Sequence, residues 1–307
     1  MDIKKIIVHL ADHDRVVDDS NVIQLSGLSQ GDLKKFFDIW KSVSSSDRTE
    51  VLNKLLKLSN NRPVLDFTDI FKMCLNDDDE NVRSNAILGL WECDDKTFMR
   101  FLINMMLSDD SSDVRYVAAA SLGRFVDMAR EDKLSPINVS KLLGALFTTI
   151  NMRDELVYVR GRAVESIASF QSDKVDDVIQ DLYNSEDYNL CISSIAAMGR
   201  TSNSFWLPMV LSHIYDHDPS MRTKVAVAIG EIGDESSVYE LAKLIEDDEL
   251  DVQLAAISGL AKIGGSDAII VLKKCLDCED KILVNAATNG LGMIKTEDSL
   301  ANIDSMS

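Results

Sequence analysis

The sequence predicts an all-α fold: a right-handed α-solenoid of about seven two-helix repeats with an N-terminal helical cap. Three observations predict it. The stretch Asp216–Gly264 nearly repeats itself at an offset of 31 residues, with Met221 over Val252, Ala226 over Ile257 and Ile229 over Leu260. An internal period of this size marks a stacked array of identical supersecondary units. Within each period, apolar residues recur at offsets 0, +4 and +8 from an anchor, the rhythm of one helical face. Only four prolines interrupt the 307 residues, and aromatics make up 6% of them, as suits helices packed through small side chains.

The anchor position runs Val82, Val114, Val159, Leu190, Met221, Val252 and Leu283, in steps of 32, 45, 31, 31, 31 and 31. Four residues on stand Ala86, Ala118, Ala163, Ser194, Val225, Ala256 and Ala287; eight on stand Leu90, Leu122, Ile167, Met198, Ile229, Leu260 and Leu291. The next position is small (Gly123, Ala168, Gly199, Gly230, Ala261, Gly292), with Trp91 the exception. A small residue there lets a neighbouring helix approach closely. Five residues before the anchor stand Asp77, Asp109, Asp154, Ser185, Asp216, Asp247 and Cys278. An acidic turn therefore precedes each second helix, where aspartate caps free backbone N–H groups and meets the positive end of the helix dipole. One residue after the anchor stand Arg83, Arg115, Arg160, Cys191, Arg222, Gln253 and Val284.

In chain order, residues 1–65 form an N-terminal segment and helical cap, 66–295 the repeat array, and 296–307 a polar tail, disordered or a fraying helix. A short helix around Ile6–Leu10 precedes an irregular charged segment. Ser29-Gln-Gly-Asp32 resembles a capping box and opens a helix through Trp40. Ser44–Ser46 ends it, and a second amphipathic helix follows to Leu58. This pair covers the end of the stack, as a terminal repeat must. First helices of the repeats are expected over Phe67–Leu75, Thr97–Leu107, Val139–Ile150, Val175–Tyr183, Phe205–Tyr215, Val238–Ile245 and Ala268–Leu276. The long step between Val114 and Val159 inserts about 14 residues, read as an extended second helix to Arg130 and a polar loop before Pro136; insertions in repeat proteins map to loops on one edge. Trp91 is expected to fill the junction with the cap, and Trp206 to pack inside.

The Asp…Val-Arg…Ala…Leu-Gly lines resemble the HEAT-repeat families, most closely the bacterial type known as PBS-lyase HEAT-like repeats. The resemblance covers roughly Asp66 to Lys295. It implies a curved helical stack, and it implies that the ladder Arg83, Arg115, Arg160 and Arg222 reaches the turn aspartates Asp77, Asp109, Asp154, Asp216 and Asp247. A rigid guanidinium fork suits such bidentate contacts. Function does not follow from the fold. Two enzyme classes with this architecture fit poorly. Deoxyhypusine hydroxylases hold iron with His-Glu pairs, and this sequence has no His-Glu dipeptide. HEAT-like alkylpurine DNA glycosylases need a basic concave face, and the net charge here is −19.

That charge also argues against nucleic acid and anionic membrane as partners. The five cysteines are odd in number and scattered, and the apolar run in MDIKKIIVHLADHD is too short for a signal sequence or a membrane span; the reading is a cytoplasmic protein with reduced thiols. Cys275-Leu-Asp-Cys278 lacks further ligands at zinc spacing, and the acidic turns lack the loop of an EF-hand; no cofactor, metal or catalytic group is assigned.

What remains is a surface. Offsets +3 and +10 of the second helices face away from the 0/+4/+8 seam. There Arg124, Arg162, Arg200, Lys224 and Lys262 would form a broken basic stripe in an acidic protein. The leading reading is a non-enzymatic protein–protein interaction scaffold or adaptor that holds another protein or peptide through this stripe. The alternative, carried by resemblance, is a phycobilin-lyase-like enzyme or a tetrapyrrole-binding chaperone, which would need a pocket with convergent polar groups.

Overall fold

A computed structural model describes residues 2–11 and 22–304. The irregular segment expected after the first helix falls largely on residues 12–21, outside the described residues, as do 305–307. All regular structure among the described residues is helical. The chain forms two compact units, one of residues 1–125 with 140–149, the other of 126–139 with 150–307.

In the first unit, α1 (Ile3–Ala11) packs on α2 (Gln30–Trp40) and α3 (Ser45–Asn61), and α3 packs on α5 (Glu80–Gly89), the partner of α4 (Thr68–Cys74). Helix α6 (Lys96–Ser108) and the opening of α7 (Ser112–Arg130) follow, with the middle of α8 (Pro136–Asn151). The second unit continues as α9 (Val157–Ile167) and α10 (Asp173–Tyr183), α11 (Tyr188–Arg200) and α12 (Leu207–Leu211), α13 (Pro219–Ile232) and α14 (Val238–Leu244), α15 (Leu250–Ile263) and α16 (Gly265–Cys275), ending in α17 (Lys281–Asp304). Here the second helices stack on one another in series, α9 on α11, α11 on α13, α13 on α15 and α15 on α17.

The core follows the apolar rhythm. Every residue at offsets 0, +4 and +8 is buried except Leu291, which is half-buried in α17. Ser194 sits in this column fully buried and satisfies its hydroxyl locally, donating to the Cys191 carbonyl at 2.6 Å. The small residues let backbones touch. A Cβ added at Gly199 would lie 2.6 Å from the Ala228 Cα, and one at Gly230 would collide with the Gly259 Cα of α15.

One expected helix is much shorter than the sequence suggested. Over Phe205–Tyr215 a 3-10 turn (Ser204–Trp206) leads into α12, which ends at Leu211. Pro208 sits in its first turn, where its missing N–H costs nothing. Beyond Leu211 the Ser212 hydroxyl donates back to the Met209 carbonyl at 2.6 Å, and backbone bonds tighten to i→i−3. Trp206 is 1% exposed, whereas Trp91 is 60% exposed and fills no junction.

The turns show how the repeats are clasped. In α5, Arg83 donates from Nη1 to the carbonyls of Asp77 and Asp78 in its own turn, and from Nε and Nη2 to the Asp109 carboxylate in the next, at 2.9 and 2.7 Å. Arg222 repeats the pattern on Asp216, His217 and Asp247, with carboxylate distances of 2.7 and 2.8 Å. Arg48 in α3 makes the same clasp onto Asp77 (2.8 Å) and Asp78, while Trp40 donates to the other Asp77 oxygen at 2.9 Å. The presumed cap thus carries a rung of its own. Arg115 reaches the Asp109 carbonyl and Arg160 the Ile150 carbonyl. Asp154 is exposed, and the buried carboxylate of that turn is Glu155, which accepts the Leu156 N–H at 2.7 Å.

The aspartates divide the labour differently from the sequence expectation. Helix capping falls to Asp79, Asp187 and Asp218, three residues before the anchor. The aspartates five before it accept the N–H two residues on, as Asp109 does from Ser111 and Asp247 from Glu249, and so turn their outer face to the arginine. Likewise Ser29 caps Asp32 N at 3.2 Å, but the Asp32 carboxylate accepts the Ser29 hydroxyl instead of closing a full capping box onto its backbone. Where Cys191 replaces arginine, Asp216 accepts the Tyr188 hydroxyl at 2.6 Å and faces His213 and His217.

Two predictions follow from this packing. Gly230→Ala is expected to lower the unfolding free energy by about 1–3 kcal/mol through backbone overpacking. Gly292→Ala, in a helix position with open space, should raise it by about 0.5–1 kcal/mol; urea denaturation of both variants checks the contrast. For the clasp, Arg222 holds the Asp247 carboxyl below the usual aspartate range despite burial. A depressed folded-state pKa gives stability that is complete above the unfolded value and lost as pH falls through the folded one. Arg222→Ala should therefore cost about 2–4 kcal/mol near pH 7, and the stability gap between wild type and Asp247→Asn should close as the pH drops below about 4. A gap that stays constant down to acid pH would show that the ion pair is not the stabilising element.

Candidate binding cleft

The basic stripe read from the sequence separates into three parts. In the first unit, Arg124 donates to the Trp91 carbonyl and pairs with Asp94 at 2.6 Å, closing the end of α5. In the second unit the two +3 residues converge on one buried acid: Arg162 lies 2.7 Å and Lys224 3.9 Å from the two carboxylate oxygens of Glu165, 7% exposed in α9. Each of these three cations has an acidic partner within the protein, with Arg162 and Lys224 sharing one.

The +10 residues of the second unit behave differently. Ser169, Arg200, Glu231 and Lys262 belong to four successive repeats and line one open cleft of about 540 Å³, together with Arg130 and Asp127. The reason is the packing just described. The +9 residues Gly199 and Gly230 lie in the seam between second helices, so the next residue is carried to the rim at each repeat. Lys262 pairs loosely with Glu231 at 3.4 Å. Arg200 is half-buried, and among the described residues its guanidinium makes no hydrogen bond and no ion pair. Ser169 is 5% exposed, and its hydroxyl has no hydrogen-bond partner. Sequence reasoning placed Arg200 and Lys262 on the surface but passed over Ser169, because a serine at +10 looks like an ordinary gap in a basic column.

A second, larger cleft of about 900 Å³ lies in the first unit, between the end of α3 and the ends of α4 and α5. Phe67, Phe71, Leu88 and the exposed Trp91 give it an apolar lining. Phe71 occupies the space a side chain at Gly89 would need. This cleft was not foreseen, since Trp91 read as a filler.

No cluster of His, Cys, Asp and Glu suited to a metal ion occurs among the described residues. All five cysteines are free thiols; Cys74 is fully buried in the first unit, and burial pushes its pKa up, so it behaves as a small core hydrophobe. Cys275 is buried while Cys278 is exposed. No helix among the described residues is long and apolar enough to cross a membrane.

Comparison with known proteins places these observations in context. No curated protein sequence matches the chain. Among solved structures, the complex of CpcE and CpcF of phycocyanin lyase from Nostoc sp. PCC7120 is similar with a TM-score of 0.50 and 15% identity, over 75% of this chain and 94% of that one. The Kap95:Nup1 complex aligns with a TM-score of 0.49 and 14% identity, over 99% of this chain and 47% of that one. Human deoxyhypusine hydroxylase aligns with a TM-score of 0.35 and 12% identity, over 75% of this chain and 96% of that one. Identities this low speak to the fold alone. The family model of HEAT repeats matches residues 68–138 and 207–292, just over half of the chain. With its helix pairs, its 31-residue period and its arginine clasps, the chain belongs to the HEAT-repeat family.

Proposed function

We propose that the protein is a non-enzymatic interaction scaffold of the cytoplasm that holds a segment of another protein along the +10 column of its second unit. The observation that carries this reading is the cleft formed by four successive repeats, each supplying one side chain from the same helical offset. A surface built by repetition suits an extended partner, which meets equivalent positions one repeat after another. The net charge of −19 weighs against nucleic acid as that partner.

A second reading has one observation in its favour. The apolar cleft beside Trp91 has the volume of a small-ligand site, which suits the phycobilin-lyase-like or tetrapyrrole-chaperone alternative that the Nostoc likeness brings to mind. The scaffold reading is preferred because the cleft of the second unit is built by the repeat itself, whereas this one lies at a single junction of the first unit.

Affinity capture from a native lysate with the full chain, at low and at moderate salt, separates the two. The expected outcome is a stoichiometric protein partner retained at low salt and weakened at moderate salt, since contacts between charged surfaces are screened. Recovery of no protein, with a small molecule absorbing in the visible or near-ultraviolet copurifying, would overturn the scaffold reading.

A further inference from the structure

The cleft of the second unit contains three features that its role in folding does not explain. First, the guanidinium of half-buried Arg200 has no partner among the described residues, in a chain where acids outnumber bases 51 to 32, and Arg130 on the same cleft has no ion pair there either. Second, the Ser169 hydroxyl in the wall of the cleft has nothing to bond. Third, Ser202 at the rim has a left-handed backbone, φ 51°. The equivalent position of the next two repeats holds Gly233 (φ 75°) and Gly264 (φ 67°). Glycine is the unstrained choice there, so this repeat keeps a hydroxyl at the cost of backbone strain, at the point where that hydroxyl lines the cleft.

The simplest structural account is that cations near helix C-termini complement the helix dipole. Arg200 ends α11 and Lys262 stands in the last turn of α15. That explains the sign of the charges. It explains neither the unbonded hydroxyl nor the strained serine.

We propose that Arg200, Ser169 and Ser202 form a receptor for a single carboxylate, presented by an Asp or Glu side chain of a partner's extended segment, with Arg130 and Lys262 flanking it. The guanidinium fork matches a planar carboxylate in two parallel hydrogen bonds. The two hydroxyls donate to its remaining lone pairs. The charge balance selects a monoanion. Arg130, Arg200 and Lys262 stand against Asp127 and Glu231, so the cleft carries a small positive excess that one carboxylate neutralises and a phosphate dianion would exceed. Glu231, already next to Lys262, limits how far a second acid could follow. The site thus reads one acidic residue in a mostly neutral segment, not an acidic tract.

This assignment rests on the scaffold reading only in taking the carboxylate from a protein. Its test is fluorescence anisotropy with the full chain and short fluorescein-labelled Gly/Ser peptides carrying one central Glu, Gln or phosphoserine. The Glu peptide is expected to bind more tightly than the Gln peptide. Arg200→Gln should weaken Glu-peptide binding by about tenfold or more, the scale of a hydrogen bond to a charged group. Arg200→Lys, which keeps the charge and loses the fork, should recover only part of it. Ser202→Gly is the sharper variant. It relieves the backbone and should leave the urea midpoint unchanged or raised, yet weaken binding by about threefold, as loss of one neutral hydrogen bond would. Equal binding of Glu and Gln peptides, or full binding by a folded Arg200→Gln chain, overturns the carboxylate receptor. Tighter binding of the phosphoserine peptide, lost in Arg200→Gln, overturns the monoanion assignment. If lysate capture succeeds while the peptides fail, the receptor falls and the scaffold stands; if the peptides bind and no protein is captured, the reverse holds.

Discussion

The close approach of successive second helices is the constraint on which the second unit depends. Gly230 meets the backbone of Gly259 with no room for a Cβ, and Gly199 meets Ala228 in the same way. Dispersion and hydrophobic gains at such contacts need atoms within van der Waals reach on both sides. A methyl group at either glycine would push two helices apart and open the seam along its whole length. Once the small residues are set at +9, the geometry of everything beside them follows. The 0, +4 and +8 side chains fall inside, and the +10 side chains arrive at one rim at intervals of a single repeat.

The arginine clasps act at the other end of the helices and solve a different problem. A stack of two-helix units is free to splay at its turns, where carbonyls at the end of one helix and N–H groups at the start of the next lack intrahelical partners. Arg83 and Arg222 each satisfy two carbonyls of their own turn and fix the carboxylate of the next. The aspartate is held ready by an N–H from its own turn, so little freedom is lost when the arginine arrives. The clasp is modular enough to be replaced. Tyr188 takes over at Asp216 with a single hydroxyl, and Gln253 keeps the half that bonds its own turn, at 2.8 Å from the Asp247 carbonyl.

Much of this was legible in the sequence, because the relevant physics is periodic. A 31-residue offset exposes the anchor, the small residues and the turn aspartates directly, and the second helices fall where the anchors put them. Aperiodic features were the ones that escaped. Arg48 clasps Asp77 from a helix outside the period, so its kinship with Arg83 was invisible. The sequence reading gave helix capping to the aspartates five before the anchor, since only the geometry distinguishes that residue from the one three before it. Trp91 broke the small-residue rule, and nothing in the string says whether a bulky residue at such a position turns in or out. For the same reason, offsets predict which side chains share a face but not what else reaches them: Glu165, at an offset that was not considered, pairs with Arg162 and Lys224.

Electrostatic neutrality within the fold is what gives the remaining cations meaning. Arg124, Arg162, Lys224 and Lys262 each have an acid within 4 Å, at 2.6, 2.7, 3.9 and 3.4 Å. Arg200 has none among the described residues, although Asp127 and Glu231 share its cleft. Its helix ends where it stands, and Gly199 beside it is pinned against Ala228, so the backbone that carries the guanidinium is fixed in place. Rigid packing therefore does more than hold the repeats together. It sets the backbone from which Arg200 enters the cleft, and an unpaired charge beside an unbonded hydroxyl is what a binding site for an acidic group requires.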